Sequence, residues 1–431
     1  MGLALTEPSA AILRTTIGVV GTHADEITTV FYQRLFEAQP QLRRVFNQGS
    51  EATGGQARAL AAALVGFAGR LLAEAPGPEF DATPRRIAHR HASLGIRPDQ
   101  YPLVGQHLLA AVGEVLGEAV TPSVRDAWDE AYWLFATTLI AEEARIYQRT
   151  STDPEHPWRP WRVTARVAAT PNVVSLDLVP AGPDPLPHYL PGQYVSVAVD
   201  LPDGGRAARQ YSLSRAPGAG SLRITVRRVP ATQAAPAGVV STHLHDQVAV
   251  GDVLDVSPPT GHVTLAPGVD PLVLISAGIG VTPMMAMLGH TARLRPERTV
   301  VAVHADRSPA HHPLRAELLE IVTPLRDFRL YTWYESDAPP PPETTGSPGG
   351  ARRTVGTKAR PDQHRTAERE VRHLGRIDVD ALPLPDDARV YLCGPLGFMR
   401  DVRAGLLRRG VPQTRVQYEV FGSDPWAGAP A

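Results

Sequence analysis

The stretch RRIAHRHASLGIRPDQY, residues 85–101, holds two imidazoles one residue apart and a phenol ten residues after the second. An imidazole nitrogen is a ready metal ligand, and a carboxylate or hydroxyl bonded to the ring's other nitrogen makes it a stronger one. Successive helical residues turn by about 100°, so His89 and His91 point about 200° apart and cannot share a ligand. Ile87, Ala88 and Leu94 stand three or four residues from His91, which puts His91 on the buried stripe and leaves His89 in water beside Arg85 and Arg86. Thr83 reads as the N-cap of this helix, Pro84 as its first residue and Gly95 as its stop. Alone, such a histidine is most simply a core residue bonded to a carbonyl.

A second chemistry lies toward the C-terminus, where the apolar run PLVLIS leads into AGIGVTP and then the helical MMAML. Gly278, Ile279, Gly280 and Val281 form a turn that lets backbone approach a pyrophosphate. Thr282 as N-cap and Pro283 as first helical residue then aim the free N–H groups of a helix at that anion. RVYLCGPLGFM repeats the design, ending a strand at Cys393, Gly394 and Pro395. Both turns would border one crevice, and Cys393 would be placed to touch a nicotinamide. A third set is RQYSLS: Arg209 and Tyr211 share a strand face, with Ser212 on the other and Gln210 between them. An arginine, a tyrosine and a hydroxyl can pair a phosphate, stack on a flat ring and donate to a ring nitrogen. Tyr194 sits on a neighbouring strand, and Gly238, Val239, Val240 and Ser241 precede a short helix whose N-terminus suits a second pyrophosphate.

The elements that must position these groups change character twice along the 431 residues. Residues 1–150 carry 3.6-residue periodicity broken by prolines and glycines, the pattern of an all-α domain. A proline-rich connector, STDPEHPWRPW, leads to short alternating strands over residues 151–267, as in an antiparallel β-barrel. From 268 to 431 nearly continuous apolar strands alternate with helices, as in an α/β domain with a parallel sheet. Residues 336–372 are polar and proline-rich and read as a mobile insertion. In the first domain Tyr32 shares a helix face with Leu35 and Phe36, Gln56 lies four residues before Leu60, and Glu143 falls on the apolar stripe of the last helix while Glu142 points away. A net charge of −1 gives no footprint for nucleic acid, and one cysteine excludes an intramolecular disulfide and a multi-cysteine metal site. No apolar run is long enough to cross a membrane, and the N-terminus has no basic and hydrophobic leader, so a cytoplasmic protein is expected.

From residue 158 to 421 the motifs RxYS, GxxS, GxGxTP and CGP follow one another as in the ferredoxin–NADP reductase superfamily, which the sequence resembles. That resemblance implies FAD on the barrel and NADH or NADPH on the α/β domain. With FYQRLF, GGQARAL, IAHRHASLGIRPDQY, VGQHLLAA, EEARIY and a terminal YEVFG, essentially the whole chain resembles the flavohaemoglobins. The resemblance implies an all-α globin domain with one haem b on His91, Tyr32 and Gln56 as the distal polar pair, Phe46 and Leu60 as pocket walls, and Tyr101 and Glu143 holding the proximal histidine. It adds Val420, Phe421, Gly422 and Ser423 to the cofactor contacts, Phe421 as the cover of the flavin ring. Val281 stands where relatives often carry a glutamine, and Arg90 where a lysine is usual.

The implied activity is that of a nitric oxide dioxygenase, an oxidoreductase in which NAD(P)H reduces FAD, FAD reduces haem iron, and O2 and NO become nitrate. A haem–flavin reductase of alkyl or lipid hydroperoxides or of quinones, and an oxygen or NO sensor, stand as alternatives. No stable protein partner is implied; the resemblance leaves open a lipid in the haem pocket and points to a monomer or weak dimer. His304, Asp306 and Arg307 follow a strand where the nucleotide ribose would be read, and an acid beside an arginine argues for both nucleotides.

Overall fold

The computed structural model describes residues 4–40, 55–73, 82–201, 205–233, 235–336 and 369–421, with the side chains of 55–59, 61–62 and 82 outside the description. Phe46, Gly422, Ser423 and the side chain of Gln56 therefore lie outside the described residues, as does most of the expected insertion.

Among the described residues six α-helices form the first unit: α1 (Glu7–Thr22), α2 (Ala24–Ala38), α3 (Gly55–Leu71), α4 (Ala82–Leu94), α5 (Tyr101–Leu116) and α6 (Pro122–Arg149). The helix α4 begins at Ala82, so Thr83 and Pro84 fall in its first turn rather than marking its start, and Gly95, at φ +73°, ends it as expected. The spine is α6, which Thr121 caps by accepting the Val124 N–H and which at 28 residues is about 42 Å long. Its stripe of Trp128, Tyr132, Phe135, Leu139, Glu143 and Ile146 is buried, as the periodicity predicts. Gly105 of α5 lets this spine approach closely, because a Cβ there would lie 2.4 Å from the Tyr132 ring.

The second unit is a six-stranded antiparallel sheet in the order β4-β3-β6-β1-β2-β5, built from β1 (Arg159–Thr170), β2 (Val173–Pro180), β3 (Tyr194–Asp200), β4 (Arg206–Ser212), β5 (Leu222–Arg227) and β6 (Val253–Val256). An antiparallel bridge between Leu213 and Ile224 joins the β4 and β5 ends, closing a barrel around Leu176, Val195, Val197, Leu222 and Val256. The helix α7 (Val239–Asp246) adds Val240 and Leu244 to that core.

The third unit is a parallel sheet in the order β10-β9-β8-β7-β11-β12. Its strands are β7 (Leu272–Ala277), β8 (Val300–Asp306), β9 (Phe328–Tyr334), β10 (Glu370–Leu374), β11 (Arg389–Cys393) and β12 (Val416–Glu419). Cores on both faces, one under α8 (Val281–Leu294) and α9 (Arg315–Ile321), the other under α10 (Leu396–Arg408), make this a doubly wound sheet. Strand order reverses at β7, between β8 and β11, which opens a crevice at the carboxyl ends of β7 and β11.

Two expectations change here. Glu370, Val371 and Arg372 do not belong to the insertion but pair with Leu330, Tyr331 and Thr332 as an edge strand. Thr282 is not the N-cap of α8: a 3-10 turn at Gly278–Gly280 leads in, Gly280 takes the cap position, and the Thr282 hydroxyl donates to the Ile279 carbonyl at 3.0 Å.

Candidate functional site

A cavity of about 660 Å³ runs from the helical unit to the barrel and the end of β12. Phe31, Tyr32, Leu35, Leu60, Leu64 and His91 line one part; Tyr194, Arg209, Gln210, Ser212, Val420 and Phe421 line another. One space thus serves residues more than a hundred positions apart in the chain.

His91 hangs from α4 with its side chain 30% exposed on the cavity, whereas Glu143 beneath it is 2% exposed. His91 Nδ1 lies 2.9 Å from the Tyr101 hydroxyl and 3.0 Å from Glu143 Oε1. Tyr101 donates to the same carboxylate oxygen at 2.5 Å. Burial, and then the Glu143 charge, push the Tyr101 phenol far above its ordinary range, so it keeps its proton and can only be the donor in that bond. Nδ1 must therefore carry the ring's proton and point it at Glu143, which leaves the Nε2 lone pair for the cavity. Tyr132 fixes the start of α5 by donating to the Tyr101 carbonyl at 2.6 Å. Across the pocket, Tyr32 packs edge-on to Phe31 at 4.8 Å and stacks on Phe36 at 5.5 Å.

On the barrel, pairing of Tyr194 with Ser212 brings β3 and β4 to the cavity together. Arg209, Gln210 and Ser212 reach it; Tyr211 does not, and packs instead against the barrel core. The Ser212 hydroxyl is buried without a hydrogen-bond partner in the structure. At α7, which starts after Gly238, Val239 is exposed, Val240 belongs to the core, and the Ser241 hydroxyl is spent on the Gly238 carbonyl and the Val229 N–H. What the helix offers an anion is backbone rather than these side chains.

In the crevice, Gly278 takes a φ of +53° and Gly280 packs so closely on β11 that a Cβ would stand 2.3 Å from the Cys393 carbonyl oxygen. Val281, Thr282 and Pro283 are buried, so this turn too presents main chain. Cys393 corrects an expectation: its side chain is wholly buried in the sheet core, and burial pushes the thiol well above its ordinary range. Its peptide, with Gly394 and Pro395, borders the crevice while its sulfur faces the opposite problem of packing. Asp306 turns inward, accepting the Arg307 N–H at 2.8 Å and facing buried His304 at 3.4 Å, whereas the Arg307 side chain is exposed.

The helix α4 has a second polar face that sequence reasoning misplaced. His89 is not in water; its Nδ1 accepts the Gly261 N–H at 3.0 Å, and burial holds its pKa down to about 4. The signal was present as Arg86, His89 and Ser93, a stripe at helical spacing opposite the apolar one.

Comparison with known proteins follows the same three units. The globin family profile matches residues 29–139, an oxidoreductase FAD-binding domain matches 160–265, and an oxidoreductase NAD-binding domain matches 274–404. A flavohemoprotein of Chromobacterium violaceum is 40% identical over 425 residues, covering 98% of this chain and 99% of that protein. The chain belongs to the flavohaemoprotein, or flavohaemoglobin, family. A second flavohemoprotein, from Rhizobium meliloti, is 38% identical over 98% of the chain. The crystal structure of a flavohemoglobin from Malassezia yamatoensis, with bound FAD and heme, superposes with a TM-score of 0.81 at 32% identity over 97% of this chain and all of that one. The FAD/NAD-binding part of a nitric oxide dioxygenase from Vibrio cholerae matches 61% of this chain with a TM-score of 0.50 at 31% identity.

The cavity of this flavohaemoprotein suits the family's groups. The His91 lone pair and the apolar walls fit a haem, and the unpartnered Ser212 hydroxyl beside Arg209 and Tyr194 fits the polar edge of a flavin ring. Among the described residues no helix is long and apolar enough to cross a membrane.

Proposed function

We propose that this chain is a nitric oxide dioxygenase: an oxidoreductase that spends NADH or NADPH, through FAD and one haem b, to convert NO and O2 into nitrate. The observation that carries the reading is the single cavity shared by the His91–Glu143–Tyr101 network and the Arg209–Ser212 strand. We divide the chain into a globin domain at 1–150, an FAD domain at 151–267 and a nucleotide domain at 268–431. The bound groups supply the redox chemistry, FAD turning two-electron hydride into single electrons for iron.

The chain's own residues hold and tune these groups. Glu143 takes a hydrogen bond from His91 Nδ1, which raises the basicity of Nε2 toward iron; Tyr101 fixes the carboxylate in place. Tyr32 offers a hydroxyl donor on the α2 side of the cavity, with Gln56 its assigned partner, to steady substrate oxygen as it gains negative charge. Such a bond is worth roughly 1.5–3 kcal/mol. Leu60 and the α2 aromatics exclude water from that space, and Phe46 is the further wall that the family resemblance assigns. Arg209, Gln210, Ser212 and Tyr194 orient the flavin, Tyr211 backs that strand from the barrel core, the α7 N-terminus from Gly238 to Ser241 meets the pyrophosphate, and Val420 and Phe421 cover the ring. The turns at 278–283 and 393–395 receive the nucleotide at the crevice.

The test is aerobic NO consumption by purified protein loaded with haem and FAD, with nitrate counted against NO and with NADH and NADPH compared. Stoichiometric nitrate, abolished in His91→Ala and slowed in Tyr32→Phe, is expected. Flavin-dependent reduction of a hydroperoxide or quinone without nitrate would replace this reading.

A further inference from the structure

Three side chains on the outer face of α4 each meet a different part of the reductase. His89 Nδ1 accepts the Gly261 N–H at 3.0 Å. Arg86 Nε donates to His262 Nε2 at 3.3 Å, while its NH1 reaches the Tyr418 hydroxyl at 3.2 Å and its guanidinium lies 4.7 Å from the centre of that ring. Ser93 Oγ, fully buried, accepts from Gln210 Nε2 at 3.5 Å. The histidine contacts are reciprocal: an imidazole of the globin accepts a hydrogen bond from reductase backbone, and the next reductase residue accepts one from a globin guanidinium.

We propose that this stripe is the docking register that sets the flavin-to-haem separation, with His89 as its positioning residue. The geometry is specific on both sides. Gly261, at φ +122°, lies in a backbone conformation that other residues rarely adopt, and a Cβ there would meet the Tyr194 ring at 3.2 Å, so its N–H is aimed by the barrel itself. Tyr194 and Gln210 line the flavin part of the cavity, and His91 projects from α4 two residues beyond His89, so the same short helix is tied at once to iron and to flavin. Hydrogen bonds are directional where apolar contact is not, and a seam built from them admits one register.

This inference rests on the reading that reduced FAD delivers electrons to the haem, though not on what the haem does with oxygen. With both groups bound, that step would move one electron from the reduced flavin, which is oxidised, to ferric haem, which is reduced, with no bond formed or broken at the seam. His89 therefore acts only through distance and orientation.

The experiment uses full-length protein carrying haem and FAD, mixed anaerobically with NADH under carbon monoxide, with flavin bleaching and ferrous–carbonyl formation followed separately. In His89→Leu the haem step is expected to slow about tenfold or more while flavin reduction stays within about twofold, because misplacement of a docked group costs rate only in the step that crosses the seam. His89→Gln, whose amide oxygen can accept the same N–H, should recover most of the rate. Hydrogen exchange gives a readout independent of turnover: the Gly261 amide should lose protection in His89→Leu and regain it in His89→Gln. Arg86→Met, which breaks the reciprocal contact, should produce the same split between steps and serves if His89→Leu does not fold. Haem reduction at the parental rate in both variants, or equal slowing of both steps, overturns the proposal. If the parent protein itself reduces flavin but never haem, the underlying function fails as well.

Discussion

Glu143→Gln tests the proximal network most directly. In the structure Glu143 Oε1 accepts two hydrogen bonds, from the Tyr101 hydroxyl at 2.5 Å and from His91 Nδ1 at 3.0 Å, and Oε2 is buried with no partner in the structure. An amide keeps the shape but removes the charge, and its NH2 finds either two donors already in place or an unsatisfied pocket. Hydrogen bonds to a charged group are worth about 1.5–3 kcal/mol and roughly twice a neutral one, so the substitution should cost about 1–3 kcal/mol in the orientation and basicity of His91. At 1.4 kcal/mol per factor of ten, that is a roughly 5–150-fold weaker hold on haem. The assay is the rate of haem transfer to excess apomyoglobin, with the iron–histidine stretching band of the ferrous protein recorded alongside. Faster loss and a lower stretching frequency are expected together. Tyr101→Phe should speed haem loss yet move the band less, since the bond from Nδ1 to Glu143 survives. A Glu143→Gln protein with parental haem loss and a parental band would refute the assignment of His91, Tyr101 and Glu143 as one working unit.

The other predictions concern the reductase. In Gly280→Ala the new Cβ would lie 2.3 Å from the Cys393 carbonyl oxygen and 2.8 Å from the Gly394 nitrogen, both backbone atoms of a packed sheet. Overpacking of this kind should cost about 1–3 kcal/mol in urea unfolding and raise the KM for nucleotide in ferricyanide reduction; parental values in both would remove the crevice from that role. Glu419 is pushed up to about 7 by burial, against the pull of Arg86 and Arg90. Unfolded chains ionise their carboxyls near 4.5, before the native protein does, so the native state loses stability as pH rises from there to about 7. Glu419→Gln escapes this loss, and its advantage in urea titrations should grow across that window and level off above it; a pH-independent difference would contradict the burial of the charge. Phe421, 45% exposed at the cavity, should be needed to seat the flavin, so Phe421→Ala is expected to slow FAD reduction by nucleotide in stopped flow, and an unchanged rate would dismiss it.

Much of this molecule was legible before any coordinate. The period of the apolar residues turned His91 and Glu143 inward and Glu142 away from that stripe, where it pairs with Arg145 and Arg149 and is itself largely covered. Alternation and continuous apolar runs separated the barrel from the parallel sheet, because each pattern reports how many faces of a strand are buried. The strands that escaped notice, Val253–Val256, Glu370–Leu374 and Val416–Glu419, are four or five residues long and owe their form to pairing with distant neighbours rather than to their own pattern. Tertiary structure alone decided three matters at the site. It buried the Cys393 sulfur in the sheet core, it made Gly280 rather than Thr282 the cap of the nucleotide helix, and it moved His89 from solvent to a seam. Hydrophobic periodicity marks the face a helix turns to its own core, since that face must be apolar. A face covered by another domain can be polar and still buried, provided each group finds a partner, and those partners lie at Gly261, His262 and Gln210, more than a hundred residues away. Sequence by itself therefore determined which residues could bind iron, flavin and nucleotide; only the docking of the domains decided which of them meet.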